Sequence, residues 1–248
     1  MNDLSDNSRQ YRPSPPTRLV ALGSLRLEWP VLLMLLVVAL AAWSFIALAD
    51  AVSEGSTAAI DHKLLLMLRN SQDPTLMAGP PRLQEMMRDF TGLGGTGVLA
   101  LVTMSAAGFL LLERKYHAAL LLVVAVVGGM LLSGYLKAEF DRARPAFAPY
   151  GGSLAVSPSF PSGHSMMAAV VYLTIGALIA RMRPDPRVRL YVLVLAVLVT
   201  ILVGISRVYL GVHWPTDVLA GWALGAAWAL LCWLGALLLQ RRGKVERA

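Results

Sequence analysis

Between Glu28 and Asp50 the chain reads WPVLLMLLVVALAAWSFIALA, with no charged side chain in the run. A helix of that length reaches across the ~30 Å hydrocarbon core of a bilayer. Comparable runs follow at 90–112 (FTGLGGTGVLALVTMSAAGFLLL), between Lys115 and Lys137, from Gly163 to Ala180, from Leu190 to Ile205 and from Val218 to Leu239. Together they predict six transmembrane helices. Charged residues make up only 15% of the chain, below the roughly 25% usual in soluble domains. The expected fold is therefore an all-α integral membrane bundle. A cleaved signal peptide is a competing reading of the first run, since Ala47-Leu48-Ala49 resembles a cleavage site. Its apolar core exceeds the ~7–15 residues of a signal peptide, which favours a true first span.

The net charge of +7 is distributed in a way that argues against nucleic-acid binding. Arg9, Arg12, Arg18 and Arg26 precede the first span, and Arg114 and Lys115 separate the second from the third. Arg181, Arg183, Arg187 and Arg189 lie between the fourth and fifth, and Arg241, Arg242, Lys244 and Arg247 follow the last. With six spans these segments all fall on one side, so the positive-inside rule puts both termini in the cytoplasm. Residues 1–28 form an expected cytoplasmic tail, 29–240 the membrane domain and 241–248 a basic cytoplasmic tail. Cys232 is the one cysteine and reads as a small apolar filler in the last span.

Three connections are then expected to face outward. In the first, Ile60, Leu64, Met67 and Leu68 share one helical face, and Leu83, Met86, Met87 and Phe90 share another. Asp73-Pro74 and Gly79-Pro80-Pro81 separate the two stretches. Short amphipathic helices lying on the membrane fit this pattern, as does a plain cap over the bundle.

The other two outward loops concentrate chemistry. Lys137, Arg144 and Arg207 are cations, His164 and His213 are of the one side-chain type that can titrate near neutral pH, and Asp217 is a carboxylate four residues after His213. Continued as helix past Lys137, the third span would put Lys137 and Arg144 on one face, with Pro145 ending it. Ser162 and Gly163 stand where the fourth span begins. The free N–H groups and positive dipole end of a helix N-terminus bind phosphate well. Pro215 starts the last span, with Asp217 in its first turn reaching back to His213. Taken singly, a span-end lysine snorkels and an interfacial histidine is structural. Their coincidence on one membrane face weakens that reading. A metal site lacks the spacing it needs, and three nearby cations would repel the ion. Glu139 and Asp141 fall beside the first motif, where they could either orient the cations or weaken anion binding.

Lys137 with Arg144-Pro145, then Pro161-Ser162-Gly163-His164, then Ser206-Arg207 with His213 and Asp217, resemble the three motifs of the type 2 phosphatidic acid phosphatase superfamily. These are membrane lipid phosphate phosphatases related to vanadium haloperoxidases. The resemblance implies that Lys137, Arg144, Ser162, Gly163 and Arg207 bind the substrate phosphate. It implies that His213 is the nucleophile forming a phosphohistidine, that Asp217 fixes its tautomer, and that His164 protonates the leaving alkoxide. No cofactor is implied, because the cations supply the charge that phosphoryl transfer needs.

The expected activity is hydrolysis of a lipid phosphate or diphosphate at the outer face of a bacterial inner membrane. An outward site places undecaprenyl diphosphate first. Phosphatidylglycerophosphate and phosphatidate are alternatives, as are a lipid phosphotransferase and a non-catalytic lipid transporter. The implied partners are the lipid substrate and the bilayer; the oligomeric state stays open.

Overall fold

The structure, a computed structural model, describes residues 29–146 and 157–241. The expected tail at 1–28, the basic tail beyond 241 and loop residues 147–156 lie outside the described residues. In chain order the helices are α1 (Trp29–Ser53), α2 (Ala58–Leu66), α3 (Pro81–Leu93), α4 (Thr96–Leu112), α5 (Tyr116–Glu139), α6 (Gly163–Arg181), α7 (Pro186–Tyr209) and α8 (Pro215–Arg241). Five of them are long and apolar enough to cross a membrane, and α3 with α4 makes a sixth when counted as one bent span. The chain is a multi-pass membrane protein with short helices α2 and α3 in its first long connection.

Local sequence sets the helix starts. Pro81, Pro186 and Pro215 each open a helix, where the missing N–H costs nothing. Asp185 caps α7 by accepting from Arg187 N at 2.8 Å. Ser162 caps α6, accepting from Ser165 N at 3.4 Å and from Ser165 Oγ at 2.9 Å.

The centre of the bundle is α6. Its apolar stretch is 56% buried, against 17–33% for the other four unbroken spans. It packs on α5, α7 and α8. Against α8 the approach is close because Gly221 and Gly225, one turn apart, present no side chains. A Cβ at Gly225 would stand 2.5 Å from the carbonyl oxygen of Met166. This small-xxx-small contact is a usual way for membrane helices to pack where hydrophobic burial gives little. Leu99 of α4, Leu122 and Val126 of α5 and Val171 of α6 fill the adjoining core.

Two details differ from the sequence-based expectation, and a third concerns what α2 buries. The run 90–112 is not one helix: α3 ends at Leu93 and α4 begins at Thr96, bent by 50°. Gly94 forms the elbow, where a Cβ would stand 2.4 Å from Val203 Cγ1 and 3.4 Å from His164 Cβ. A continuous helix with side chains could not come so near α7. In α2, the face turned to the protein carries Asp61 and Leu65, while Ile60 and Leu64 are exposed, as is Met67 just past its end. Burial there follows a carboxylate with partners rather than the apolar stripe. Finally, α5 stops at Glu139, and residues 140–145 run on without helix. Lys137 and Arg144 therefore do not share a helix face. Arg144 is brought in by a non-helical segment, tied down where Ser159 N donates to Arg142 O at 2.8 Å.

Candidate active site

Phe160 organises the approach to α6. It is fully buried, stacked on Phe45 of α1 with centroids 5.9 Å apart and edge-on to Phe140 at 4.9 Å. This plug fixes Ser159 on one side and Ser162 on the other. Ser162 N donates to Asp217 O at 3.0 Å, which locks the start of α6 to the first turn of α8.

His213 lies in the α7–α8 connection and is 1% exposed. Its Nδ1 is 3.4 Å from Asp217 Oδ2, and its Nε2 is 3.3 Å from Arg144 Nη1. The tautomer with hydrogen on Nδ1 donates to Asp217 and leaves the Nε2 lone pair free towards Arg144. Burial pushes the imidazole pKa down to about 4. The hydrogen bond and charge of Asp217 oppose that shift, and Arg207 and Arg144 add to it. His213 is therefore neutral at neutral pH, the form that carries a nucleophilic lone pair.

Asp217 is fully buried with all its acceptors in use. Oδ2 accepts from Ser159 Oγ and from Trp214 N (2.9 Å) as well as facing His213, while Oδ1 takes Arg142 Nη1 at 2.5 Å. Arg144 is held by its neighbours, donating to Ser157 O at 3.0 Å and Val212 O at 2.9 Å. In the last turn of α7, Arg207 donates to Thr91 Oγ1 of α3 at 3.0 Å, with its Nε unpaired. Lys137 ends beside the first residue of α6: a Cβ on Gly163 would lie 3.6 Å from Lys137 Nζ. Lys137, Arg144 and Arg207 are all within electrostatic reach of His164, as is His213. The structure thus gathers Lys137, Arg144, Gly163, His164, Arg207, His213 and Asp217 at one end of the bundle. Ser162 stands behind them as the buried helix cap.

Glu139 and Asp141 are exposed, whereas Asp217 faces His213. Among the described residues no group of three His, Cys, Asp or Glu side chains is arranged to hold a metal ion. Lys137 and His164 also close one end of a cleft of about 520 Å3 between α4, α5 and α6. Its walls are mostly apolar, among them Leu99, Met104, Val126 and Met130.

Arg142, Asp61, Ser159, Thr216 and Thr91 escaped the sequence reading. Arg142 sits inside the first motif, but its partner Asp61 is 81 positions away, and nothing local signals the pairing.

The model described as "PAP2 superfamily" matches residues 118–240. Phosphatidylglycerophosphatase B of Bacillus subtilis (strain 168) is 40% identical over 147 residues, covering 58% of this chain and 71% of the relative. A lipid A 1-phosphatase of Rhizobium etli is 30% identical over 175 residues, 61% of this chain and 71% of the relative. Among solved structures, the transmembrane PAP2 type phosphatidylglycerolphosphate phosphatase from Bacillus subtilis superposes with a TM-score of 0.69 at 32% identity. That match covers 85% of this chain and 98% of the other. A membrane-spanning bundle of this fold, with a cationic pocket at one end, defines a lipid phosphate hydrolase. The chain belongs to the PAP2 superfamily.

Proposed function

We propose that the protein hydrolyses a lipid phosphomonoester, phosphatidylglycerophosphate first among them, through a phosphohistidine on His213. The cleft between α4, α5 and α6 carries this reading, because it joins Lys137 and His164 to an apolar trough. A headgroup phosphate would sit among the cations while an acyl chain lies between the helices. The sequence alone put undecaprenyl diphosphate first. The 40% identity to a protein named phosphatidylglycerophosphatase B favours the monoester instead.

In this mechanism Lys137, Arg144, Arg207 and the free N–H groups at the head of α6 neutralise the non-bridging oxygens. His213 Nε2 attacks phosphorus as the bond to the lipid oxygen breaks, and Asp217 accepts the Nδ1 proton's hydrogen bond as the imidazolium forms. His164, on the opposite side of the phosphate, gives its proton to the departing alkoxide. A water then loses a proton to His164 and attacks the phosphohistidine. The P–N bond breaks, inorganic phosphate leaves, and His213 returns to its neutral form.

The basic segments between the spans support cytoplasmic termini and a pocket on the opposite side of a bacterial inner membrane. In a Cys232→Ser background, a single cysteine at Ala143 should react with an impermeant thiol reagent in intact cells. Labelling only after lysis would reverse the orientation.

The test of substrate is phosphate release in vesicles from phosphatidylglycerophosphate, phosphatidate, lipid A 1-phosphate and undecaprenyl diphosphate. The highest kcat/KM is expected for phosphatidylglycerophosphate. A clear preference for undecaprenyl diphosphate would restore the earlier ranking. Phosphate passed to a second lipid, rather than to water, would mark a phosphotransferase. Lipid movement that survives His213→Ala would mark a transporter.

A further inference from the structure

Arg142 lies two residues before the motif arginine Arg144, yet it faces a different set of partners. Its Nη1 donates to Asp217 Oδ1 at 2.5 Å and Thr216 Oγ1 at 2.8 Å. Its Nη2 donates to Asp61 Oδ2 at 2.6 Å and approaches Thr57 Oγ1 at 3.4 Å. The guanidinium also stands over the Trp214 ring, 5.7 Å from its centroid. Asp61, in turn, is fully buried and accepts from Thr216 N at 3.0 Å and Thr216 Oγ1 at 2.6 Å. A carboxylate on α2 thereby satisfies a free N–H at the start of α8, on the residue just before His213's partner.

We propose that Arg142, held in place by Asp61, is a positioning residue that fixes the Asp217 carboxylate against His213. The inference rests on the reading of His213 as nucleophile. A carboxylate free to rotate can offer His213 either oxygen or neither. Pinning Oδ1 on Arg142 leaves Oδ2 directed at Nδ1, with Ser159 and Trp214 N completing its shell. The planar fork of an arginine can hold Asp61 and Asp217 at once, which a lysine ammonium cannot do with the same geometry. Arg142 also separates two buried carboxylates, each of which would be left without its cation if it were removed. Both of its terminal nitrogens are committed to protein acceptors. Arg144 has protein acceptors too, Val212 O for Nη1 and Ser157 Oγ for Nη2, but its Nη1 also lies 3.3 Å from His213 Nε2, where the phosphate is to be attacked.

The experiment compares wild type, Arg142→Met, Arg142→Lys, Asp61→Asn and the double variant Asp61→Asn/Arg142→Met in detergent and in vesicles. Steady-state kinetics, quenched-flow phosphoenzyme formation and thermal unfolding are measured on each. Arg142→Met should lower kcat about 100-fold, with KM within about threefold, the pattern of a lost orienting contact. Arg142→Lys should recover only a small part of kcat. The double variant removes a buried charge of each sign, so its melting temperature should return towards wild type while kcat stays as low as in Arg142→Met. Recovery of kcat along with stability would overturn the proposal and leave Arg142 a purely structural residue. A tenfold rise in KM with kcat kept would also overturn it and make Arg142 a phosphate ligand. Phosphoenzyme formation separates the two levels of inference. A wild-type enzyme that never phosphorylates His213 sinks the nucleophile reading and this proposal with it. Phosphorylation of wild type and Arg142→Met at equal rates overturns this proposal alone.

Discussion

Gly221 of α8 lies so close to Ser162 that a Cβ on it would stand 2.7 Å from the Ser162 carbonyl oxygen and 3.1 Å from Ser165 Cβ. Ser162 N meanwhile donates to Asp217 O at 3.0 Å. The start of α6, with Gly163 and His164, is thus held against the turn of α8 that carries Asp217. Helix packing and site geometry are one feature here.

Gly221→Ala is expected to destabilise the protein by about 1–3 kcal/mol, since the obstructing atom is backbone and cannot rotate away. It should also lower kcat by displacing the head of α6. Gly97→Ala, in α4 with nothing within 4 Å of its Cβ, is the control. There the gain in helix propensity, about 1 kcal/mol at most, should leave stability equal or higher. Thermal unfolding in detergent measures both. Equal melting temperatures for the two variants would contradict the close α6–α8 contact.

The two histidines should fail differently. His213→Ala should abolish phosphoenzyme formation on every substrate. His164→Ala should cost far more on a lipid monophosphate, whose alkoxide needs a proton, than on p-nitrophenyl phosphate, whose phenolate leaves largely unassisted. Single-turnover rates on both substrates make the comparison. Equal fractional losses would leave His164 as a phosphate-binding residue only.

His213 should stay neutral well into acid. Its folded pKa of about 4 lies below the ordinary imidazole value of 6.5, so between those values the unfolded chain binds the extra proton. Any stability linked to this group is fully present above about pH 6.5 and is lost as pH falls through about 4. NMR of histidine-labelled protein, with the His213 signal assigned by its absence in His213→Ala, should show a neutral imidazole at pH 5. Titration near 6.5 would show that burial and the neighbouring cations do not act as described.

Three cations around the pocket lead to an expectation about metal. Phosphate release should survive chelation with EDTA, and vanadate should inhibit by occupying the site as a five-coordinate anion. Activity lost in EDTA and restored by magnesium would mean that Lys137, Arg144 and Arg207 do not carry the charge of the transition state.

The spans at 29–53, 116–139, 163–181, 186–209 and 215–241 were legible because an unbroken apolar run of that length has few other uses. Ser162 as a cap and Pro215 as a helix start were legible too, since both act within one turn of chain. The elbow at Gly94 was not: its glycine reads as one more small residue in an apolar run until Val203 and His164 are seen against it. Nor did the apolar stripe of α2 reveal which residues turn inward, since in lipid such a stripe can face outward. What the sequence determined alone was therefore the class of fold and the residue types available for phosphate chemistry, because these depend on local runs and short spacings. Only the tertiary structure decided that Arg144 reaches His213 from a non-helical segment and that Arg142 joins Asp61 to Asp217. Those contacts cross 69 to 81 residues of chain, and their energy exists only once buried charges have no water left to choose instead.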